Sequence, residues 1–426
     1  MKKTYSIILF LFITAVSSAQ VNFDTYFTSH SLRFDYVRAG NSESNDIFFE
    51  QVKLEPFWSG NSNNLLDKFE YGHYKYLIYD SASNILIFSK GYNTLFDEWQ
   101  STAEAKLLKR SFYETVQFPC PKKTVKLELQ ERNSKGVFNK KYEIYINPDD
   151  PYVNKESVPQ YQVNKIVDSG DPMYSLDLVF IPEGYTQNEM DKFRKDAERF
   201  AGYFLECTPY KENKDKINIW TVEVPSMESG VTNPGINQWK NTPMNFSYYT
   251  QGTERYLMSM NIKAIRDIAA CVPYDNICVI SNSAKYGGGA IYNYYTSFPA
   301  DDQYGPYLIV HEFGHHFCAL GDEYYTSQVS VEDYYKFDVE PYEANLTTLV
   351  NFDKKWKNMI ESGIPIPTPA TDEYKDKLGA FEGGGYVAKG VYRPMQDCTM
   401  KSKTYNNFCP VCKKAIIDMI NYYAGK

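Results

Sequence analysis

The densest concentration of reactive side chains in this 426-residue chain is Tyr307 to Tyr325, YLIVHEFGHHFCALGDEYY. His311 and His315 stand four apart, so a helix projects both from one face, where they can grip one metal ion with Glu312 beside it. Three of the five histidines fall at 311, 315 and 316, leaving only His30 and His73 elsewhere. Two imidazoles and one carboxylate, with a fourth position kept for water, describe a catalytic rather than a structural zinc site. Zinc brings the pKa of water toward neutrality; Glu312 can then take the proton of the attacking water and hand it to a leaving amine. The chemistry indicated is amide hydrolysis. No histidine follows His316, so a third ligand supplied from downstream must be an Asp or a Glu. His316 itself is turned about 100° around the helix from His315 and should not reach the same ion.

The elements that must position these groups are legible to different degrees. Tyr307 to Leu320 is a mostly apolar helix able to run through an interior, with Pro306 at its first position and Gly321 placed to end it. Upstream, Leu176 to Pro182 reads as a buried strand, and Thr186 to Glu189 as a capping box opening a helix toward Cys207. Ile217 to Val224 reads as a strand, Thr253 to Ala270 as a helix and Asn276 to Ser281 as a third strand, an α/β layer. Three glycines in Lys285 to Tyr292 lack the Gly-Lys-Ser/Thr of a phosphate loop; they suit either a strand edge left bare for a peptide backbone or a plain flexible loop. Residues 326 to 391 read as loops and short helices, and Lys413 to Tyr423 as an amphipathic helix.

Before Tyr161 the texture differs. Short runs of alternating apolar residues (Ser31 to Val37, Ile47 to Pro56, Tyr74 to Tyr79, Asn84 to Lys90, Thr124 to Gln130, Lys140 to Ile146) predict an antiparallel β-sandwich of about seven strands. That span holds no cluster of metal-ligating residues and is expected to fold separately and to carry no hydrolytic chemistry. Asn147 to Pro159, with three prolines, resembles a linker. The expected division is 1–19, 20–159 and 160–426.

Lys2 and Lys3, the apolar run Tyr5 to Val16 and the small residues Ser17 to Ala19 read as a secretory signal peptide, so the protein is expected to be exported: periplasmic, cell-surface or secreted. No other stretch is long and apolar enough for a transmembrane helix. A formal charge of −8, without a long Lys/Arg patch, argues against nucleic acid as partner. Eight cysteines in an exported chain suggest disulfides; a structural zinc site on Cys398, Cys409 and Cys412 is the rival reading, although a second CxxC is missing.

HEFGHHFCALGDEY resembles the signature of the immunoglobulin A peptidase family of secreted bacterial zinc endopeptidases. The resemblance extends to Leu178 to Tyr185, to Tyr286 to Gly289, to Cys398-Thr-Met400 and to Phe408 to Cys412. It implies a metzincin-like α/β (α+β) zinc peptidase domain preceded by an all-β sandwich domain. It also implies His311, His315 and Asp322 as ligands of one zinc per chain, Glu312 as catalytic base, and Met400 in a turn beneath the metal. Against the wider metzincin pattern HExxHxxGxxH, Cys318 replaces the glycine and Gly321 takes the third ligand's place, which leaves Glu323 as a competitor of Asp322. Asp322 is the first side chain past the Leu320-Gly321 turn, and Glu323 on the opposite side of an extended segment is expected to hold the free nitrogen of a ligating histidine. Tyr324, Tyr325 and Tyr405 are candidates for stabilising an oxyanion.

The function expected is a zinc-dependent endopeptidase acting on extracellular proteins or glycoproteins. The alternatives are a zinc hydrolase of another amide, such as one in peptidoglycan, and an inactive surface binding protein.

Overall fold

A computed structural model describes residues 21–325 and 334–425; the signal-peptide reading lies outside them. The N-terminal part is β-rich. Strands β1 (Phe27–Gly40), β2 (Asn45–Glu55) and β5 (Arg110–Pro121) form one antiparallel sheet in the order β2-β1-β5. Strands β3 (Tyr74–Asp80), β4 (Leu86–Tyr92), β6 (Val125–Arg132) and β7 (Phe138–Ile146) form a second in the order β4-β3-β6-β7. Alternate residues of both sheets, among them Leu32, Phe34 and Tyr36 from one and Tyr76, Ile78, Leu127 and Leu129 from the other, share a single apolar core.

The C-terminal part is built on a six-stranded mixed sheet of β8 (Gln162–Val167), β9 (Leu176–Glu183), β10 (Ile217–Glu223), β11 (Asn276–Ser281), β12 (Gly289–Ile291) and β13 (Tyr295–Pro299). Its order is β12-β13-β11-β9-β10-β8, with four parallel strands in the middle and an antiparallel strand at each edge. Every residue of β9 is buried, the mark of a parallel strand covered on both faces. Leu178 and Phe180 point into a core with the helices α3 (Met190–Glu206), α5 (Gly305–Cys318) and α6 (Pro410–Tyr423), whereas Val179 and Ile181 face α4 (Ile262–Ala269).

That second core is not closed by the C-terminal part alone. Between β4 and β5 the chain forms helix α2 (Leu95–Gln100), after the four-residue α1 (Phe23–Tyr26) at the start. Leu95, Phe96 and Trp99 of α2 pack among Val179, Ile181, Ile262, Ile265 and Tyr295. Arg33 and Lys53 both reach Asp267, at 2.9 and 2.8 Å, across the same junction.

Four expectations need correction. The helix expected over 253–270 is confined to α4, because Tyr256 bridges Gly288 and Met258 pairs with Ser247, holding this segment extended until Asn261 caps the helix. Helix α5 ends at Cys318, not at Gly321: Ala319 adopts the left-handed conformation (φ 48°) and its N–H reaches back to Gly314 O and His315 O. The stretch read as loops contains a hairpin, β14 (Phe381–Gly384) and β15 (Val387–Arg393). No disulfide is formed among the eight cysteines: Cys120, Cys207, Cys278 and Cys318 are buried singly, Cys271 is half-buried, and Cys398, Cys409 and Cys412 lie together without an S–S bond.

Candidate metal centre and cleft

Helix α5 is apolar on nearly every side, so it runs through the core and carries His311 and His315 to a cleft of about 360 Å³. Each imidazole is fixed from behind. His311 Nδ1 donates to Thr399 O at 3.1 Å and His315 Nδ1 to Leu320 O at 2.5 Å. A carbonyl can only accept, so Nδ1 carries a proton in both rings and Nε2 is the nitrogen each turns into the cleft, free to ligate a metal once it gives up any proton. The left-handed turn at Ala319 supplies the Leu320 carbonyl and reverses the chain, which then brings Asp322 back under the helix.

The two Nε2 atoms are 3.3 Å apart, and Asp322 Oδ1 lies 3.3 Å from His311 Nε2 and 3.2 Å from His315 Nε2. A tetrahedral ion with bonds of about 2.0 Å sets neighbouring donors about 3.3 Å apart. Oδ1 is buried and has no hydrogen-bond donor among the described residues. Three atoms able to ligate a metal converge here, and a bound cation would take the place of the proton that otherwise has to sit between imidazole and carboxylate. Burial opposes charge on His315, yet Asp322 and Glu312 carry its pKa up to about 9, so the pocket favours positive charge at this point. Burial alone would raise the Asp322 pKa; the two imidazoles outweigh it and hold the carboxylate well below its usual range.

Glu312 projects from the next position of α5, and a Cβ at Gly288 would stand 3.6 Å from its Oε1 and 2.8 Å from Ser297 O. Only glycine (φ 147°) lets β13, the Arg255–Leu257 segment and the Glu312 carboxylate meet here. The three glycines therefore serve close packing. The Gly288 edge is taken by Arg255 and Leu257, whose backbones bond it on both sides, and only Gly289 to Ile291 forms the sheet's outermost strand. His316 turns away from the cleft: its Nδ1 donates to Ile291 O at 2.9 Å, and burial pulls its pKa down to about 3.

Glu323 does not support a histidine, contrary to expectation, because backbone carbonyls already hold both Nδ1–H groups. It points to the far side, accepting from Asn345 Nδ2 at 3.0 Å beside Cys412. Met400 lies in a turn with its Sδ 3.2 Å from where a Cβ on Gly314 would be, directly behind the two histidines on α5.

Of the three tyrosines considered, Tyr324 lines the cleft, its hydroxyl 3.4 Å from Arg255 Nη2. Tyr405 donates to Tyr203 O, well away, and Tyr325 packs against Gly383 and Arg393. Sequence reasoning missed Tyr386, whose hydroxyl donates to Asp322 Oδ2 at 2.7 Å. Gly385 and Tyr386 are the two central residues of the β14–β15 turn, and both have positive φ (57° and 67°), the two-residue turn that suits strand twist. A tyrosine in that conformation costs about 1–2 kcal/mol relative to glycine, so its side chain is held there against backbone preference. The turn also receives Asp322 O and Tyr324 O on the N–H groups of Gly385 and Tyr386. The only sequence signal was its position after Gly383-Gly-Gly385. Arg255 and Glu98 of α2 also line the cleft; Glu98 is pushed up to about 8, chiefly by burial.

A larger cavity of about 1210 Å³, between His73, Arg132, Tyr342 and Lys355, holds no comparable set of converging donors among the described residues.

Comparison with known families gives two matches. A family described as IgA Peptidase M64 matches residues 164–377 and 370–420, and one described as Peptidase M64 N-terminus matches residues 22–143. No curated protein matches the chain.

Proposed function

Because the chain belongs to the IgA peptidase M64 family, we propose that it is a zinc-dependent endopeptidase that hydrolyses peptide bonds of extracellular proteins or glycoproteins. The observation that carries the reading is the convergence of His311 Nε2, His315 Nε2 and Asp322 Oδ1 within 3.3 Å, at the spacing of tetrahedral ligands, with Glu312 alongside. One zinc bound there would supply a Lewis acid and lower the pKa of water.

The chain's own groups account for the rest. Glu312 takes the proton of the attacking water and delivers it to the leaving amide nitrogen. Burial raises its pKa first, while His311 and His315 lower it, a balance that suits a group that must both accept and release a proton. Tyr324, kept protonated chiefly by burial, can donate to the developing oxyanion, with Arg255 beside it. Tyr386 holds the distal oxygen of Asp322 so that the proximal one stays aimed at the ion. The Gly289–Ile291 edge and the tyrosine-lined walls give an extended substrate a surface to lie on.

The same reading divides the chain into a β-sandwich module over 20–159 and a metzincin-like catalytic domain over 160–426, with helix α2 of the first completing a core of the second, and takes residues 1–19 as an export signal that places the enzyme in the periplasm, on the cell surface or outside. The two sheets sharing one core support the sandwich, and α5 with Met400 behind it supports the metzincin likeness.

Casein digestion by the zinc-loaded full chain, repeated with chelator and after zinc is restored, tests the reading. Cleavage that stops with chelator and returns with zinc is expected. Cleavage unaffected by chelator, or a zinc-loaded protein that cleaves no polypeptide, would overturn it.

A further inference from the structure

A second convergence of donors lies behind the first and takes no part in the hydrolytic chemistry. Glu323, Cys398, Cys409 and Cys412 are all buried, and one ligand atom from each lies within 4.8 Å of the others. We propose that these four residues form a closed structural zinc site, distinct from the cleft, that pins the two segments carrying the catalytic supports.

The geometry is that of a tetrahedral thiolate centre. Zinc–sulfur bonds of about 2.3 Å place neighbouring sulfurs about 3.8 Å apart. Cys398 Sγ and Cys412 Sγ are 3.8 Å apart, too far for a disulfide and right for two ligands of one ion. Glu323 Oε1 stands 3.5 Å from Cys412 Sγ, while Oε2 is fully buried and has no donor among the described residues. A buried carboxylate oxygen with no donor is costly unless a cation lies nearby.

The backbone is arranged to receive thiolates. The N–H groups of Met400 and Cys409 point at Cys398 Sγ (3.5 and 3.3 Å), and that of Cys412 at Cys409 Sγ (3.4 Å). Cys409 is the N-cap of α6 and Pro410 follows at its first turn, so the helix N-terminus faces the cluster and favours negative charge there. Arg393 and Lys401 lie near enough for their charges to act on Glu323, offsetting a centre that four anionic ligands leave negative. Three cysteines cannot all be consumed by one disulfide, and the carboxylate that completes the set is supplied by a loop some 75 residues upstream in sequence.

The placement gives the site its consequence. Glu323 follows Asp322 directly, and its N–H donates to Met400 O at 2.8 Å. Cys398 precedes Thr399, whose carbonyl fixes His311. An ion shared by Glu323 and Cys398 therefore locks the Asp322 loop to the Thr399 turn, holding a ligand and the support of another in register.

The test uses the full chain, isolated without reductant. Metal analysis should find a second equivalent of zinc beyond the one bound by the histidines. After cobalt replaces zinc, a sulfur-to-cobalt charge-transfer band in the near ultraviolet should appear. His315→Ala should lose one equivalent of metal and keep the band; Cys412→Ser should lose one equivalent and the band. The readout is independent of hydrolysis, so failure of the peptidase reading leaves this result standing and the reverse. A cobalt protein with no thiolate band, iron in place of zinc, or a thiol count in denaturant two short of that after reduction, which would reveal a disulfide, would each overturn the proposal. If Cys412→Ser fails to fold, the spectrum and thiol count of the unmodified chain decide.

Discussion

Tyr386 donates its hydroxyl to one oxygen of Asp322 at 2.7 Å while the other oxygen of the same carboxylate stands 3.2 to 3.3 Å from the Nε2 atoms of His311 and His315. The carboxylate is thereby divided between a neutral donor that orients it and a position that favours positive charge.

Removing that donor in Tyr386→Phe leaves the ring and its packing against Tyr324 in place. Loss of a group that orients a metal ligand costs about 10–100-fold in metal affinity or activity. Competition against a chromophoric chelator should show weaker zinc binding with an unchanged melting profile of the apo-protein; unchanged zinc affinity would remove Tyr386 from the site.

Glu312→Ala should keep its zinc and its fold and lose at least about a hundredfold in hydrolysis, the scale for losing a general base. Near-normal turnover of a zinc-loaded variant would mean another group moves the proton.

Asp322→Ala and Glu323→Ala should separate the two clusters. The first removes the carboxylate facing His311 and His315, so it should release the catalytic zinc while a thiolate-bound cobalt signal persists. The second leaves the histidine site its three donors. Zinc lost from the histidine site in Glu323→Ala and retained in Asp322→Ala would reverse the assignment.

Tyr324→Phe should lower kcat by about 10²-fold, the usual effect of deleting an oxyanion donor, with little change in KM or zinc content. A change confined to KM would make Tyr324 a substrate-binding group instead.

Against the expectation of two separately folding parts, the chain beginning at Tyr161 should not fold stably by itself, because helix α2 of the N-terminal part enters its core. Leu95, Phe96 and Trp99 fill the second core from the N-terminal segment, and burying each contributes about 1.5–3 kcal/mol. Their combined loss is a large share of the about 5–15 kcal/mol that holds a typical domain together. A fragment with a cooperative melt and intact casein cleavage would show that α2 is dispensable.

Local chemistry is what the sequence by itself determined. The spacing of His311 and His315 puts both on one helix face whatever surrounds them, and the apolar residues around them require that helix to be buried. The apolar run of β3, the capping box at Thr186 and the buried run of β9 are likewise short-range signals, and these elements form where they were expected. Tertiary structure decided everything that depends on which distant segment arrives. Helix 253–270 was cut short because Tyr256 and Met258 find strand partners at Gly288 and Ser247, contacts that no local pattern encodes. Asp322 meets the histidines and Glu323 meets three cysteines because the left-handed turn at Ala319 and the bond from Glu323 N–H to Met400 O set the direction of each side chain. Tyr386 reaches Asp322 only through a hairpin turn 64 residues away. Helical periodicity fixes neighbours three and four residues apart, but a buried charge is stabilised by partners the fold delivers from anywhere in the chain.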